Sequence, residues 1–387
     1  MSNLYKNKLD VEHLGIFFGT FSPMHLGHYQ NVMQAKKETD ACLVVVSGYE
    51  GDRGDLIGLD LNKRFRYIRE LFADEENVYV AVLNEDTIPR YPDGWDAWLK
   101  EIDEIIVDAT AHSPEKITWY VGEDEYKKEL NERKPLDNVR FLDRKILPVS
   151  GTLIRDNPFK YWNYITRPFR RHFSTNILVM GTASGGKTTL VRDLARSVGG
   201  TFTDEYARRY EEESNVRDEE LVANDFNYLA SGQFDNNRKA IMSPANNGIF
   251  IADSNVLTTD VYAKYYLSEE DYNALKPSYE LLMSREKWDL ILFIPPVTQY
   301  VDDNFRDMSY SDDKSRWEMH QAFIDRIEDM GWSDKVRLLD APFDKDSEYD
   351  NQGFYARYVQ ASEIIKEYLL SKYQVDVDNR ENITFIK

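Results

Sequence analysis

Two histidines three residues apart follow an apolar run near the start of the chain. The run reads "LGIFF" (residues 14–18), and "GTFSPMHLGH" comes directly after it, with His25 and His28 near its end. Side chains at this spacing on a first helical turn point to the same side. Beyond a strand end, that side faces the crevice in which open α/β sheets bind ligands. Imidazole N–H groups placed there could stabilise a phosphate that gains negative charge; helix capping and zinc binding are the alternatives.

A glycine-rich loop with a lysine forms a second pattern in the middle of the chain. "GTASGGKTT" (residues 181–189) follows the apolar run "NILVM" and precedes the helix-like "LVRDLARSV". It satisfies G-x-x-x-x-G-K-[ST] in the strand–loop–helix context that this motif requires. Backbone N–H groups and the helix N-terminus would cradle phosphates, Lys187 would reach the β- and γ-phosphates, and Thr188 would bind Mg²⁺. The ATP-binding residues predicted in this loop are Gly181, Ser184, Gly185, Gly186, Lys187, Thr188 and Thr189.

Acidic residues follow two further strand-like runs. "GIFIADS" places Asp253 where a phosphate-binding loop needs a second metal ligand, with capping of the next helix as the alternative. "TFTDEYARRY" places Asp204 and Glu205 after a short strand, where an acid can act on a substrate hydroxyl, and Arg208 and Arg209 follow. The alternative for these acids is the start of a helix with acids in its first turn. We predict Asp253 and Glu205 to be catalytic.

Two further stretches in the second half of the chain are rich in charged residues. "YVDDNFRDMSYSDDKSR" follows "DLILFIPP" and carries Arg306 and Arg316, so that it could close as a lid over phosphates, with Arg306 on ATP. An ordinary charged loop is the alternative. "YEEESNVRDEE" (residues 210–220) is interpreted as a solvated helix or loop.

Short apolar runs alternate with helix-like segments along the whole chain, which predicts parallel sheets covered by helices. The first series of strands reads "LGIFFG", "CLVVVSG", "VYVAVLN", "ITWYVG" and "VRFLD", and the second reads "NILVMG", "GIFIADS", "DLILFIPP" and "VRLLD". "FYARYVQASEIIKEYLLSKY" predicts a closing amphipathic helix. Between the two series lies "ITRPFRRHFST", so we place a boundary near Phe169 and predict domains over residues 1–168 and 169–387.

The composition argues against a nucleic-acid-binding surface, an intramolecular disulfide and a membrane span. The 387 residues carry a net charge of −20, which argues against a nucleic-acid-binding surface, so anionic ligands need local donors. Cys42 is the only cysteine, which leaves no intramolecular disulfide and no cysteine-built metal site. The polar N-terminus lacks a signal-peptide pattern and no apolar run is long enough for a membrane span. We therefore expect a cytoplasmic protein without an integral membrane segment.

The histidine stretch resembles the G-x-F-x-P-x-H-x-G-H motif of the nucleotidyltransferase superfamily. That superfamily has a downstream S-x-T-x-x-R, and this chain reads "SGTLIR" from Ser150 to Arg155. The resemblance implies a Rossmann-like nucleotidyltransferase domain followed by a P-loop kinase domain, both of the α/β class. It implies that His25, His28 and Arg155 are catalytic. The ATP-binding residues that it implies are Gly19, Thr20, Phe21, His25, His28, Ser150, Thr152 and Arg155.

The two halves in this order resemble the NadR family of bifunctional nicotinamide-nucleotide adenylyltransferases and ribosylnicotinamide kinases. The likeness includes "YPDGWDAW", "IRDNPFKYWNYI", "DEYARRYEE", "FIADSNVLTT" and "YVDDNFR". It implies that Trp95 stacks on the nicotinamide ring, whose cationic form suits an aromatic face; Trp95 and Trp98 as core residues are the alternative. The family's kinase strand usually ends in D-T-D, whereas this chain has "DSN" with Asn255. About fourteen residues precede the first strand, so a repressor's helix-turn-helix has no support here.

The resemblance implies two consecutive reactions in NAD biosynthesis and salvage. ATP would phosphorylate nicotinamide riboside to the mononucleotide (NMN), and NMN would then take an adenylyl group from a second ATP, giving NAD and pyrophosphate. The implied cofactor is Mg²⁺ and the implied ligands are ATP, nicotinamide riboside, NMN and NAD, with no nucleic acid and with homo-oligomerisation left open. Two alternatives remain: transfer to another phosphorylated substrate, and a nucleotide-sensing regulator with weak catalysis.

Overall fold

The chain forms two compact units, which divide after Phe173. The structure, a computed structural model, describes residues 7–90, 92–142, 147–302, 306–344 and 350–373. The boundary predicted near Phe169 lies within a helix, because Phe169 and Phe173 are buried in the core of the first unit. Along the described ranges, no helix combines the length and the hydrophobicity that crossing a bilayer would need.

The first unit is built on a five-stranded parallel sheet in the order β3-β2-β1-β4-β5. Its elements are β1 (His13–Gly19), α1 (Leu26–Glu38), β2 (Ala41–Gly48), α2 (Leu61–Leu71), β3 (Val78–Asn84), α3 (Trp95–Ala109), β4 (Lys116–Val121), α4 (Asp124–Arg133), β5 (Asn138–Phe141), α5 (Gly151–Asp156) and α6 (Arg167–Phe173). The five expected strands are present.

Strand β2 shows why this sheet is covered on both faces. All eight of its residues are buried, and successive side chains enter two separate apolar clusters. Such continuous burial is typical of parallel strands with helices on both sides. The chain leaves β1 towards β2 on one side and returns from β3 to β4 on the other. The switch point between β1 and β4 therefore opens a crevice at the carboxyl ends of these strands.

The second unit repeats this logic with the strand order β10-β9-β6-β8-β7, all parallel. Its elements are β6 (Thr175–Gly181), α7 (Lys187–Val198), β7 (Thr201–Thr203), α8 (Tyr206–Ser214), α9 (Ala223–Met242), β8 (Ile249–Ala252), α10 (Val256–Tyr266), α11 (Glu269–Met283), β9 (Leu290–Ile294), α12 (Asp313–Asp329), β10 (Val336–Leu338) and α13 (Asn351–Tyr373). The fully buried β6 is the central strand, and the glycine-rich loop leaves its carboxyl end.

The charged stretch over residues 210–220 departs in part from its predicted exposure. It forms the second half of α8 and the turn after it, and most of its side chains are solvated. Glu211, however, is only 3% exposed, because α8 packs on α9 and turns this side chain inward. The interpretation as a solvated segment is therefore wrong for Glu211.

Candidate active sites

A cavity of about 770 Å³ opens at the carboxyl ends of β1 and β4 in the first unit. It brings together residues that are more than a hundred positions apart in the sequence. The predicted site residues that line it are Gly19, Thr20, Phe21, His25, His28, Trp95, Ser150, Thr152 and Arg155. The two motifs of the first half thus share one space.

His25 and His28 lie at the start of α1 with their rings stacked. The ring centroids are 3.7 Å apart at an interplanar angle of 22°, so both rings face the same side as the spacing predicted. His25 is the N-cap residue and is 7% exposed, and its backbone N–H donates to Nδ1 of His28 over 3.4 Å. The capping alternative is therefore realised in part, and both rings line the cavity as well.

Arg155 is held in place by hydrogen bonds to both motifs of the first unit. Its Nη1 donates to the Ser22 carbonyl at 2.6 Å and its Nη2 to Thr152 Oγ1 at 2.9 Å. Ser150 is the N-cap of α5, where its hydroxyl accepts the Leu153 N–H at 3.2 Å. Burial, followed by the positive charge of Arg53, lowers the pKa of Arg155. Two guanidinium groups that repel one another in a cavity favour an anion between them.

Arg53 is a cavity residue that the motifs did not reveal. Its Nη2 donates to Thr20 Oγ1 at 3.2 Å. Beneath it, Arg64 and Asp52 form a buried bidentate ion pair at 2.8 and 2.6 Å. Burial favours a raised pKa for Asp52, but the bonds from Arg64 and from the Asp55 and Gly54 amides outweigh it and lower this pKa. The ionised pair fixes the loop that carries Arg53; the one signal in the sequence was glycines around a charged loop at a strand end.

Trp95 is a core residue, as one of its two interpretations predicts, and it also borders the cavity. It is 7% exposed and packs edge-on against Trp98 and Tyr126, with centroid separations of 5.7 and 5.5 Å. Trp95 also lines the cavity, and among the described residues its Nε1 has no hydrogen-bond partner. Nearby, Trp98 Nε1 donates to Glu85 at 3.0 Å, and burial raises the pKa of this carboxyl.

A second cavity, of about 360 Å³, lies over the glycine-rich loop of the second unit. Its predicted residues are Ser184, Gly185, Gly186, Lys187, Thr188, Thr189, Glu205 and Arg306. Gly181 lies at the end of β6 outside this lining, with φ +150°, and a Cβ there would come within 2.5 Å of the Ile294 carbonyl oxygen. Gly186 has φ +76°, a conformation that suits glycine.

Lys187, Thr188 and Asp253 converge below the loop. Lys187 begins α7, and its Nζ donates to the Thr182 carbonyl at 3.1 Å. Thr188 Oγ1 donates to Asp253 Oδ2 at 2.5 Å, while Oδ1 has no hydrogen-bond partner among the described residues. Asp253 is 1% exposed, and burial, opposed by Lys187, raises its pKa to about 7. A buried carboxylate oxygen without a partner beside a hydroxyl fits a hard cation.

The acids and arginines near these residues differ in where they lie. Glu205 is the N-cap of α8 but makes no capping bond, and its side chain lines the cavity together with Arg208. Asp204 instead pairs with Arg192 at 2.8 Å on the surface, and Arg209 pairs with Glu213. Of these acids and arginines, the structure therefore brings only Glu205 and Arg208 to the cavity.

Asn255, which stands where the family usually has a second acid, belongs to the fold rather than to the cavity lining. It is the N-cap of α10, and its Oδ1 accepts the Thr258 N–H at 3.2 Å. Its Nδ2 donates to Glu286 at 2.8 Å, and burial raises the pKa of that carboxyl to about 7. Asn255 therefore takes the helix-capping role that was the alternative for Asp253.

The charged loop after β9 contacts the glycine-rich loop. Arg306 Nη1 donates to Ser184 Oγ at 2.8 Å, and Arg316 Nη1 donates to the Thr298 carbonyl at 2.5 Å. Tyr300 faces both guanidinium groups. Residues 303–305 of the predicted lid lie outside the described residues.

Two further acids line this cavity and were missed by the motifs. Glu211 and Asp218 share a hydrogen bond between their carboxyl groups. Burial and the negative charge of Asp218 raise the pKa of Glu211 to about 9, whereas Arg208, at 3.6 Å, opposes this rise. Asp218 also accepts the Asp307 N–H at 3.0 Å. A run of alternating charges offered no signal that distinguished these two acids from their solvated neighbours.

Comparison with known families assigns a fold to each unit. The cytidylyltransferase-like family matches residues 16–157, and the AAA domain family matches residues 176–336. Together with the two parallel sheets, these matches confirm the predicted fold class, a Rossmann-like nucleotidyltransferase domain followed by a P-loop kinase-like domain.

Similar proteins cover nearly the whole chain. A crystal structure of NadR protein in complex with NR is 44% identical, covers 94% of this chain and 98% of its own, and has a TM-score of 0.83. A second, of NadR protein in complex with NAD and AMP-PNP, is 43% identical with the same coverage and a TM-score of 0.81. The trifunctional NAD biosynthesis/regulator protein NadR of Salmonella typhimurium is 26% identical over 92% of this chain and 83% of its own length.

Proposed function

The chain belongs to the NadR family, and we infer that it is a bifunctional enzyme which phosphorylates nicotinamide riboside to NMN and adenylylates NMN to NAD. The observation that carries this inference is that one chain holds both a stacked histidine pair with Arg155 and a P-loop with its acid. The histidine pair and Arg155 line one cavity and the P-loop lines the other, each at the carboxyl edge of its own parallel sheet, and Asp253 accepts a hydrogen bond from Thr188 of that P-loop. We assign adenylyl transfer to the first unit and the kinase step to the second.

The kinase step requires a phosphate cradle and an acid next to the acceptor. We propose that the 185–189 amides and Lys187 hold the ATP phosphates while Glu205 accepts the proton of the riboside 5′-hydroxyl. The hydroxyl oxygen then bonds to the γ-phosphorus, the bond from that phosphorus to the β,γ-bridging oxygen breaks, and ADP leaves. Of the acids after β7, Glu205 lines the cavity and Asp204 does not, which is why the role falls to Glu205.

Mg²⁺ is the metal that we propose for this site. Thr188 Oγ1 and Asp253 would hold it, since both are oxygen donors, they lie within 2.5 Å of one another, and one carboxylate oxygen lacks a partner among the described residues. When bound, Mg²⁺ neutralises charge on the transferred phosphate. Asp253 binds a cation only in its ionised form, so its raised pKa predicts weaker metal binding as the pH falls below about 7.

The transferase step needs positive charge around the α-phosphate. An NMN phosphate oxygen attacks the α-phosphorus of ATP, the bond to the β-phosphate breaks, and pyrophosphate leaves. We propose that His25 and His28 stabilise the charge that develops there, and that Arg155 with Ser150 and Thr152 holds the departing phosphates. Arg53 on the facing loop adds a second guanidinium. Trp95 would stack on the cationic nicotinamide ring.

The test is product identification by mass. Purified protein incubated with ATP, Mg²⁺ and nicotinamide riboside should produce NMN, ADP, NAD and pyrophosphate, and NMN with ATP should produce NAD directly. Glycerol phosphate, choline phosphate and phosphopantetheine serve as competing acceptors, and nucleotidyl transfer to one of them in preference to NMN would refute the assignment. Binding of nucleotides without turnover would favour a sensing protein instead.

A further inference from the structure

An arginine lies on the buried face of the last helix. Helix α13 buries every fourth residue along one stripe, which consists of Gly353, Arg357, Ala361, Ile365 and Leu369. The other members are small or aliphatic, whereas Arg357 is a long cationic residue that is 1% exposed. Burial lowers its pKa to about 10, so the guanidinium is still charged at neutral pH. A buried cation destabilises the fold unless hydrogen bonds or a nearby negative charge compensate for its lost hydration.

The contacts of Arg357 lead to the P-loop. Its Nη1 donates to the backbone carbonyl of Gly185, and its guanidinium lies 4.0 Å from the centroid of the Phe343 ring. Its Nε and Nη2 have no hydrogen-bond partner among the described residues. Phe354, one turn earlier on α13, packs under Gly186, where a Cβ would come within 2.3 Å of its ring. The start of α13 therefore forms a floor under the 185–186 peptide.

The geometry of a peptide group explains what this floor can do. The carbonyl of Gly185 and the N–H of Gly186 belong to one planar trans peptide, so they point in opposite directions. Gly185, Gly186, Phe343 and Phe354 line the cavity, whereas Arg357 lies outside its lining. A hydrogen bond that draws the Gly185 carbonyl towards Arg357 thus turns the Gly186 N–H away from Arg357.

We propose that Arg357 is a positioning residue of the kinase site, which fixes the 185–186 peptide so that its N–H faces the ATP phosphates. The proposal rests on the proposed kinase function of the second unit. The same guanidinium places a positive charge directly behind the phosphate cradle. In a protein with a net charge of −20, anion binding needs local cations of this kind.

The test compares Arg357→Met and Arg357→Lys with the wild type in steady-state riboside phosphorylation. Methionine keeps much of the volume and removes all donors, so the KM for ATP should rise about tenfold, as expected for a lost charge-assisted hydrogen bond. Lysine keeps the charge and an N–H donor, so the KM for ATP of Arg357→Lys should lie between the values of the wild type and of Arg357→Met. Because the P-loop amide binds the ground state as well, kcat should fall less than KM rises. The KM for riboside should stay within about twofold.

Two controls separate this role from simple packing. Arg196→Met changes an exposed arginine on α7 and should leave the KM for ATP unchanged. NAD formation from NMN in the first unit should be unaffected by Arg357→Met. A folded Arg357→Met or Arg357→Lys protein with a lowered melting temperature but an unchanged KM for ATP would overturn the proposal. If Arg357→Met does not fold, the KM for ATP of Arg357→Lys tests the proposal alone. A wild type that fails to phosphorylate riboside would refute the kinase function itself.

Discussion

At the scale of single residues, the histidine pair is the group to which we assign the chemistry of the first unit. His28 has two roles in the structure, since it accepts the His25 amide and its ring lines the cavity. These roles differ in what their loss would change. A transition-state donor affects turnover, whereas a capping group affects stability.

His28→Ala should lower the kcat of NAD formation from NMN by about 100- to 1,000-fold, as expected for a lost donor to developing charge. The KM for NMN should change much less, and riboside phosphorylation should remain normal. His112→Ala, on the surface of the same unit, is the matched control and should behave as wild type. A near-normal kcat together with a lowered melting temperature would assign His28 to capping alone.

The raised pKa of Glu211 predicts how the stability of the second unit depends on pH. Its pKa in the folded protein is about 9, above the ordinary value of 4.5, so between these values only the unfolded chain releases the proton. Stability contributed by this carboxyl is present below about pH 4.5 and decreases as the pH rises towards 9. Glu211→Gln should therefore make the melting temperature of the second unit fall less between pH 6 and 9 than in the wild type.

The exposed Glu213→Gln on the same helix is the control and should leave the pH profile unchanged. Parallel pH profiles of Glu211→Gln and wild type would show that Glu211 is already ionised in the folded protein. The variant should keep the cavity shape because glutamine matches the volume of glutamate.

The motif residues could be proposed from the sequence because a phosphate-binding site requires particular residue types at a fixed spacing. Lys187, Thr188 and His28 therefore appear in the sequence at set distances from glycines. Arg53 and Arg357 were not predictable, because their positions depend on contacts between distant elements. Arg53 depends on the buried pair beneath its loop, and Arg357 on the packing of α13 under the P-loop.

At the scale of elements, the start of α10 places a residue of the proposed metal site next to a helix N-cap. Asp253 directly follows β8 and accepts a hydrogen bond from Thr188, and two residues later Asn255 caps α10 and donates to Glu286. The two polar side chains thus divide their tasks. One would serve the metal, and the other fixes the helix that follows it.

Asn255→Ala should lower the free energy of unfolding of the second unit by about 1–2 kcal/mol through loss of the N-cap. Asn255→Ser keeps a capping oxygen and should recover part of this loss. In both folded variants the kcat for riboside phosphorylation should stay within about twofold, measured by ADP release. A large fall in kcat without loss of stability would place Asn255 in the catalytic step.

The periodicity of apolar residues predicted the long strands and helices well, but it did not predict the helix at the boundary between the two units. The apolar run "CLVVVSG" (residues 42–48) predicted a strand, and β2 covers all of it. The short boundary segment was harder, because the charges of "RPFRR" suggest a linker while Phe169 and Phe173 pack inward and make α6 part of the first unit. Inward packing of two aromatic residues is a tertiary effect that local composition does not show.

At the scale of the whole molecule, two parallel-sheet units each present a cavity at their carboxyl edge, where we propose a phosphate site. Each site relies on its own arginines, lysine or histidines, against an overall charge of −20. The described contacts of each site lie within one unit. This organisation predicts that either reaction can be removed while the other continues.

The most direct measurement of this claim is the mass of the products formed by Lys187→Ala. The variant should form no NMN or NAD from riboside, because the cradle for the ATP phosphates has lost its cation, yet it should form NAD from NMN at close to the wild-type rate. Lys264→Ala, an exposed lysine on α10, is the control and should carry out both steps. A folded Lys187→Ala protein that still phosphorylates riboside, or that also loses NAD formation from NMN, would contradict the account of two separate sites.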